Sequence, residues 1–265
     1  MNKNNPIGIF DSGIGGLTVA KAILSVLPKE NLIYFGDTKH LPYGEKSARS
    51  IECFSTKIAF FLKQKKCKMI VIACNTASSL AHESIKKLFP TIEIINVIDP
   101  VVNLIYKNKP SCVGIIGTKG TINSKIYPKK IHEIAPKIKV KSLATPLLAS
   151  IIEEGFFNDK ISRVVLNKYL NKSELKNIDQ LILACTHYPL IQKLIGKFYN
   201  NKIDIIDSSS QVASHIKNVL EKKDLLSNKI TGHRFFVSDY TKSFEESAKF
   251  FFGEDIYLEE VSSIH

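Results

Sequence analysis

Two cysteines stand directly after short apolar runs: Cys74 follows MIVIA and opens Cys74-Asn75-Thr76-Ala77-Ser78-Ser79, and Cys185 follows LILA and opens Cys185-Thr186-His187-Tyr188-Pro189. A thiol with an unperturbed pKa of about 8.5 becomes a useful thiolate at neutral pH once that value drops, and the start of a helix after a strand lowers it. His187 lies two residues from Cys185, where an imidazole can promote thiolate formation or deliver a proton. Taken singly, each thiol also reads as a small buried hydrophobe and the histidine as a cap or core residue. The repetition favours a shared use. Inverting a carbon centre requires removing a proton from one face and returning one to the other. Two opposed thiols divide that work, one as thiolate base and one as thiol acid, and exchange roles for the reverse reaction. The carbon acid is weak, so such a site must also hold the reacting atoms close, exclude water and stabilise the carbanion with fixed dipoles.

A disulfide oxidoreductase would keep its cysteines close as CxxC, whereas these lie far apart. A cysteine hydrolase could be built on Cys185 and His187 but leaves the Cys74 motif without a purpose. Two further loops carry chemistry. The run IGIF ends in Asp11-Ser12, followed by Gly13, Gly15 and Gly16. Polar groups at a strand's carboxyl end beside a helix start form an anion site. The dinucleotide pattern fails because its third glycine position is Thr18, and no Walker lysine and hydroxyl pair follows. A carboxylate therefore suits the loop better than a pyrophosphate. Asp11 could hold a substrate ammonium, act on a neighbouring acid, or serve as a helix N-cap. In LPYGEKS, Pro42 and Gly44 form a tight turn whose N–H groups can bind a carboxylate with Tyr43 as a wall; the plainer alternative is a surface turn.

The elements needed to position these residues follow from pattern. Short β-branched runs are each followed by a turn and a segment of helical length, which is the signature of an α/β protein with parallel strands and crossover helices. Strands are expected at Ile7–Phe10, Leu32–Phe35, Met69–Ala73, Ile94–Val97, Val113–Ile116, Val140–Leu143, Leu181–Ala184, Ile203–Ile206 and Arg234–Val237. Helices are expected to include Leu17–Val26, Ala48–Lys63, Ser78–Leu88, Ile161–Tyr169 and Val212–Leu220. IGIFDSGIGG from Ile7 is echoed by VGIIGTKGTI from Val113, and VIACNTA from Val71 by LILACTH from Leu181, at nearly equal offsets. That suggests a duplicated unit: two similar parallel-sheet α/β lobes related by pseudo-twofold symmetry, with the site in the cleft between them. The first lobe would comprise 1–98 plus 208–265 and the second 99–207. The crossings fall at a hinge near Val97–Asn103, carrying Asp99 and Pro100, and at Asp207–Ser210, where Asp207 reads as a helix cap.

Composition narrows the classes further. With 265 residues and 44% hydrophobic content the chain can bury a core, and no apolar run approaches the roughly 18 to 20 residues of a membrane span. The polar start at Met1–Pro6 has no signal-peptide pattern, which points to the cytoplasm. The charge of +12 is carried almost entirely by lysine; the arginines are Arg49, Arg163 and Arg234. Dispersed lysines without interleaved aromatics argue for compositional bias over a nucleic-acid surface. The cysteines number five, an odd count in scattered positions, so neither a disulfide framework nor a zinc site is expected, and Cys53, Cys67 and Cys112 read as packing residues. No metal-ligand cluster is visible and no lysine stands out as a Schiff-base candidate, so the chemistry is expected to run without a cofactor.

DSGIGG at the first strand, LPYGEKS at Leu41–Ser47, ACNTAS and ACTHYPL together resemble the bacterial glutamate racemases, over nearly the whole chain and in the same order. The resemblance implies cofactor-independent interconversion of L- and D-glutamate, with D-glutamate destined for peptidoglycan, in a site between two α/β lobes. By the same resemblance Cys74 handles the proton of D-glutamate and Cys185 that of L-glutamate, with Asp11 and His187 in support. Glu153 in SIIEEG resembles a further catalytic carboxylate, with Glu154 its adjacent rival and a solvated helix charge the plainer reading. The implied substrate contacts are Asp11, Ser12, Tyr43, Gly44, Asn75, Thr76, Thr186 and His187, with Thr118 and Thr121 as additions. The partner is then a small molecule, and a homodimer stays open. The competing readings are a related racemase acting on aspartate or another amino acid, and a nucleic-acid-binding or regulatory protein that keeps the fold.

Overall fold

The computed structural model describes residues 2–157, 159–253 and 255–262. The outer ends of the expected first lobe, Met1 and Ser263–His265, lie outside the described residues. The strands are β1 (Ile7–Asp11), β2 (Leu32–Gly36), β3 (Met69–Ile72), β4 (Glu93–Asn96), β5 (Cys112–Gly117), β6 (Lys139–Ala144), β7 (Gln180–Ala184), β8 (Asp204–Asp207), β9 (Arg234–Val237) and β10 (Leu258–Glu260). They form two sheets, ordered β10-β9-β2-β1-β3-β4 and β6-β5-β7-β8, in which every pairing is parallel. The order β2-β1-β3-β4 in the first sheet recurs as β6-β5-β7-β8 in the second. The echo in the sequence is thus an echo in topology. Every residue of β1, β3 and β7 is buried, as expected for central strands covered by helices on both faces. β6, at the edge of the second sheet, keeps its lysines partly in water.

Register sets the site. Phe10 pairs with Ile72, and Ile116 with Leu183. The carboxyl ends of β1 and β3 therefore lie side by side, placing Asp11-Ser12 next to Cys74. The ends of β5 and β7 do the same for Thr118 and Cys185. This is the crevice in which open α/β sheets bind ligands.

The chain leaves the first sheet through helix Ile98–Asn108 and returns through helix Ser208–Lys222. The first crossing, expected as a hinge segment at Val97–Asn103, is helical. Asn96 Oδ1 accepts from the Ile98 and Asp99 amides, both at 2.9 Å. Pro100 falls in the first turn, where no N–H donor is needed. At the second crossing Asp207 is the helix cap, accepting from the Ser209 amide at 2.9 Å. Helix Ser208–Lys222 packs on helices Leu17–Val26 and Ile98–Asn108, and one apolar cluster runs from Ile9 and Ile23 through Val101 and Ile216 to Ile115 and Leu183. A second cluster, including Phe10, Phe35, Phe61 and Phe236, covers the other face of the first sheet.

Two expectations change in detail. The single helix Ser78–Leu88 is instead a pair, Asn75–Leu80 and His82–Leu88, broken at Ala81, and the first begins immediately after Cys74. Cys67 and Cys112 are buried, but Cys53 is exposed on the surface of helix Ala48–Gln64 and is not a packing residue. No helix among the described residues is long and apolar enough to cross a membrane.

Candidate active site

The two thiols line one cavity at the carboxyl ends of both sheets, together with Ser12, Tyr43, Gly44, Asn75, Thr76, Thr118, Glu153, Thr186 and His187. Both are 6% exposed, and they are near enough for the charge of Cys185 to act on Cys74. Their surroundings differ. Cys74 caps its short helix, its sulfur accepting from the Ala77 amide at 3.5 Å and lying 3.8 Å from Ser12 Oγ. Cys185 lies 3.6 Å from His187 Nδ1, and His187 Nε2 lies 2.7 Å from Glu153 Oε1. One thiol thus has hydroxyl and amide neighbours, whereas the other stands at the end of an imidazole–carboxylate chain.

Asp11 and Thr121 sit one layer behind the cavity wall. Asp11 is fully buried, its Oδ2 accepting from the Gly13 amide at 3.1 Å and its Oδ1 from Thr186 at 3.4 Å. The helix that follows starts only at Leu17, so Asp11 pins the glycine loop and does not cap the helix. Thr121 joins Thr76 and Thr118 in a triangle of hydroxyls with sides of 2.9, 3.1 and 3.2 Å, tying the helix after β3 to the loop after β5. Gly15 shows why the first loop is glycine-rich: a Cβ there would fall 2.5 Å from the His187 ring and 2.6 Å from Thr186 Oγ1. Tyr43 donates to Asp37 at 2.6 Å, and Asp37 also accepts from Ser238 at 2.8 Å and pairs with His40, so the turn Leu41–Gly44 is held from behind.

Glu153 and Glu154 end helix Pro146–Glu153 differently. Glu153 turns inward to His187, while Glu154 is exposed. Ser150 and Ala149, on the same helix, also line the cavity, as do Leu41, Pro42 and Ala184, and the sequence reading named none of these five as substrate contacts. The signal for Ser150 is its spacing, one helical turn before Glu153.

Electrostatics overturn one expectation. The helix start was to lower the Cys74 thiol, but burial, followed by the nearby Asp11 charge, pushes it up to about 12. The helix has six residues, and its donated hydrogen bond is outweighed. Burial likewise raises Asp11, although the His187 charge partly offsets this. Burial opposes a charge on His187, but Glu153 and then Cys185 overcome it and hold the imidazole well above its ordinary 6.5.

A stability prediction follows. Cys74 and Cys67 are both raised by burial from 9.0 to about 12. Between those values the unfolded chain has lost both protons while the folded chain keeps them. Stability is therefore full below pH 9 and falls as pH climbs toward 12, by at most about 1.4 kcal/mol per pH unit for each thiol. Urea midpoints measured from pH 8 upward should decline, and less steeply in Cys74→Ala; an unchanged slope in that variant would refute the assignment.

Residues 12–216 match the Asp/Glu/Hydantoin racemase family. The chain is 38% identical over 250 residues to a glutamate racemase of Geobacter metallireducens, covering 93% of this chain and 92% of that protein. It is 40% identical over 255 residues to one of Chlorobaculum parvum, covering 95% and 94% respectively. Its fold superposes on the crystal structure of a glutamate racemase from Francisella tularensis in complex with D-glutamate, with a TM-score of 0.93, 40% identity and 98% of both chains covered.

Proposed function

The chain belongs to the Asp/Glu/Hydantoin racemase family, and on that footing we propose that it interconverts L- and D-glutamate by a two-thiol, cofactor-independent proton transfer. The observation that carries this reading is that Cys74 and Cys185 line one cavity from the ends of corresponding strands of two sheets. The lobes of the reading are 1–98 with 208–265 and 99–207, supported by the sorting of strands between the sheets.

Glutamate lies with its α-carbon between the sulfurs. Ser12, Asn75, Thr76 and Thr186 offer donors to one carboxylate, and the turn at Tyr43–Gly44 offers backbone N–H groups to the other. Asp11, behind Ser12, supplies negative charge for the ammonium. Cys185, as thiolate beside protonated His187, removes the α-proton of L-glutamate. Cys74, as thiol, gives its own proton to the opposite face, and D-glutamate forms. The thiolate left at Cys74 accepts from Ser12 and from the Ala77 amide. One proton has moved onto the protein and one off it, and the exchanged pattern is the starting state for the reverse reaction. The high proton affinity of Cys74 suits an acid that must stay protonated until the carbanion forms. In a cytoplasmic enzyme this activity supplies D-glutamate to peptidoglycan.

The test is circular dichroism of L-glutamate and, separately, L-aspartate with reduced, cofactor-free protein in D₂O, followed by mass analysis for α-deuterium. Loss of the glutamate signal with deuterium gain is expected. A response to aspartate alone moves the substrate assignment, and no response to either rejects the reaction.

A further inference from the structure

Asn75 opens the helix after Cys74 and is 2% exposed on the cavity wall. The two ends of its amide are treated unequally. Oδ1 accepts from the Tyr127 hydroxyl at 2.8 Å, across from helix Ile126–Ile134. Nδ2 is buried and has no hydrogen-bond partner among the described residues. A primary amide can turn over and exchange its carbonyl for its NH₂ group, so a donor facing a ligand must be held in that sense by something else.

We propose that Tyr127 is a positioning residue of the racemisation site: by claiming Asn75 Oδ1 it turns Nδ2 into the cavity, where it donates to a carboxylate of the substrate. The inference rests on the racemase reading and deepens it. Tyr127 is 1% exposed, so water does not compete for its hydroxyl. Burial, then the charges of Asp99 and Asp207, push its phenol up, so the proton stays on and the group remains a donor. With the amide reversed, its carbonyl oxygen would face the carboxylate and that contact would be repulsive. With the Tyr127 hydroxyl donating to Oδ1, the amide presents its NH₂ group as the free end, which matches an acceptor-only carboxylate. The orphaned Nδ2 is the group a bound carboxylate would satisfy.

The experiment compares wild type, Tyr127→Phe, Asn75→Ala and the double variant by calorimetric titration with D-glutamate, steady-state kinetics and melting temperature. Tyr127→Phe should weaken D-glutamate binding and raise KM about tenfold, the cost of a charge-assisted hydrogen bond, while kcat changes much less. Because the hydroxyl acts through Asn75, adding Tyr127→Phe to Asn75→Ala should weaken binding no further. Unchanged affinity in Tyr127→Phe, with or without a lower melting temperature, would overturn the proposal and leave a purely structural hydroxyl. So would effects that multiply in the double variant. A wild type that binds D-glutamate without racemising it would reject the function, while the ratio of affinities would still decide the role of Tyr127.

Discussion

Cys74→Ala and Cys185→Ala are each expected to cut glutamate racemisation by about a thousandfold or more, because each removes an acid–base group that the other cannot replace on its own face of the carbon. The two sulfurs sit at strand ends of different sheets, and no other cysteine is among the residues lining their cavity. Hydrogen exchange separates their duties. With Cys185 retained, Cys74→Ala should still exchange the α-hydrogen of L-glutamate in D₂O without inverting it. With Cys74 retained, Cys185→Ala should do so for D-glutamate. If these pairings appear reversed, the assignment of the faces is exchanged. If either variant racemises at the parent rate, the two-thiol scheme is wrong. Both substitutions remove a single sulfur from the lining of a cavity, so melting temperatures near the parent's should accompany the loss and separate chemistry from folding.

Strand ends and their cargo were legible in the chain because an apolar β-branched run followed by a small or polar residue has few other uses in an α/β protein. β9 at Arg234–Val237 and helix Leu17–Val26 fall where the pattern puts them. β10 was not anticipated: three residues, Leu258–Glu260, two of them acidic, carry no periodic signal and are strand only because β9 offers an edge. Helix Ile98–Asn108 hid behind Pro100, which reads as a breaker unless the helix start is known to lie just before it. At the site, residue types and spacing singled out the cysteines and neighbours that line one cavity, but three features depend on packing between distant segments. Glu153 and Glu154 are adjacent and chemically alike, and only the angle at which their helix meets His187 sets them apart. The Cys74 thiol differs from expectation because a helix start is a local feature visible in sequence, whereas burial is not. Asp11 reads in sequence as either a ligand group or a helix cap, and the cap is excluded only by packing: the loop it pins, Gly13 to Gly16, passes against Thr186 and His187 before the helix begins at Leu17.

Glu153→Gln is expected to shift the pH dependence of the reaction as well as lower it. The imidazole of His187 is held protonated against its burial mainly by the Glu153 carboxylate 2.7 Å from Nε2, with Cys185 second. In the proposed reaction Cys185 carries the negative charge at one end of the step in either direction, and His187 Nδ1 lies 3.6 Å from its sulfur. Glutamine keeps the shape and loses the charge. Burial then prevails, the His187 pKa falls, and the limb of the rate profile that needs imidazolium moves to lower pH. At pH 8 the loss should be about a hundredfold, and it should shrink toward pH 6; His187→Asn should lose about the same at every pH and show no such limb. The linkage has the same sign. A histidine raised by folding contributes stability in full below its ordinary 6.5 and loses it as pH rises through the raised value, so Glu153→Gln should flatten that decline in urea midpoints. The T-shaped contact of Phe251 on the His187 ring, with centroids 5.2 Å apart, keeps the imidazole in place when the charge is removed. A uniform loss with the limb unmoved would therefore mean that Glu153 acts on something other than the proton of His187.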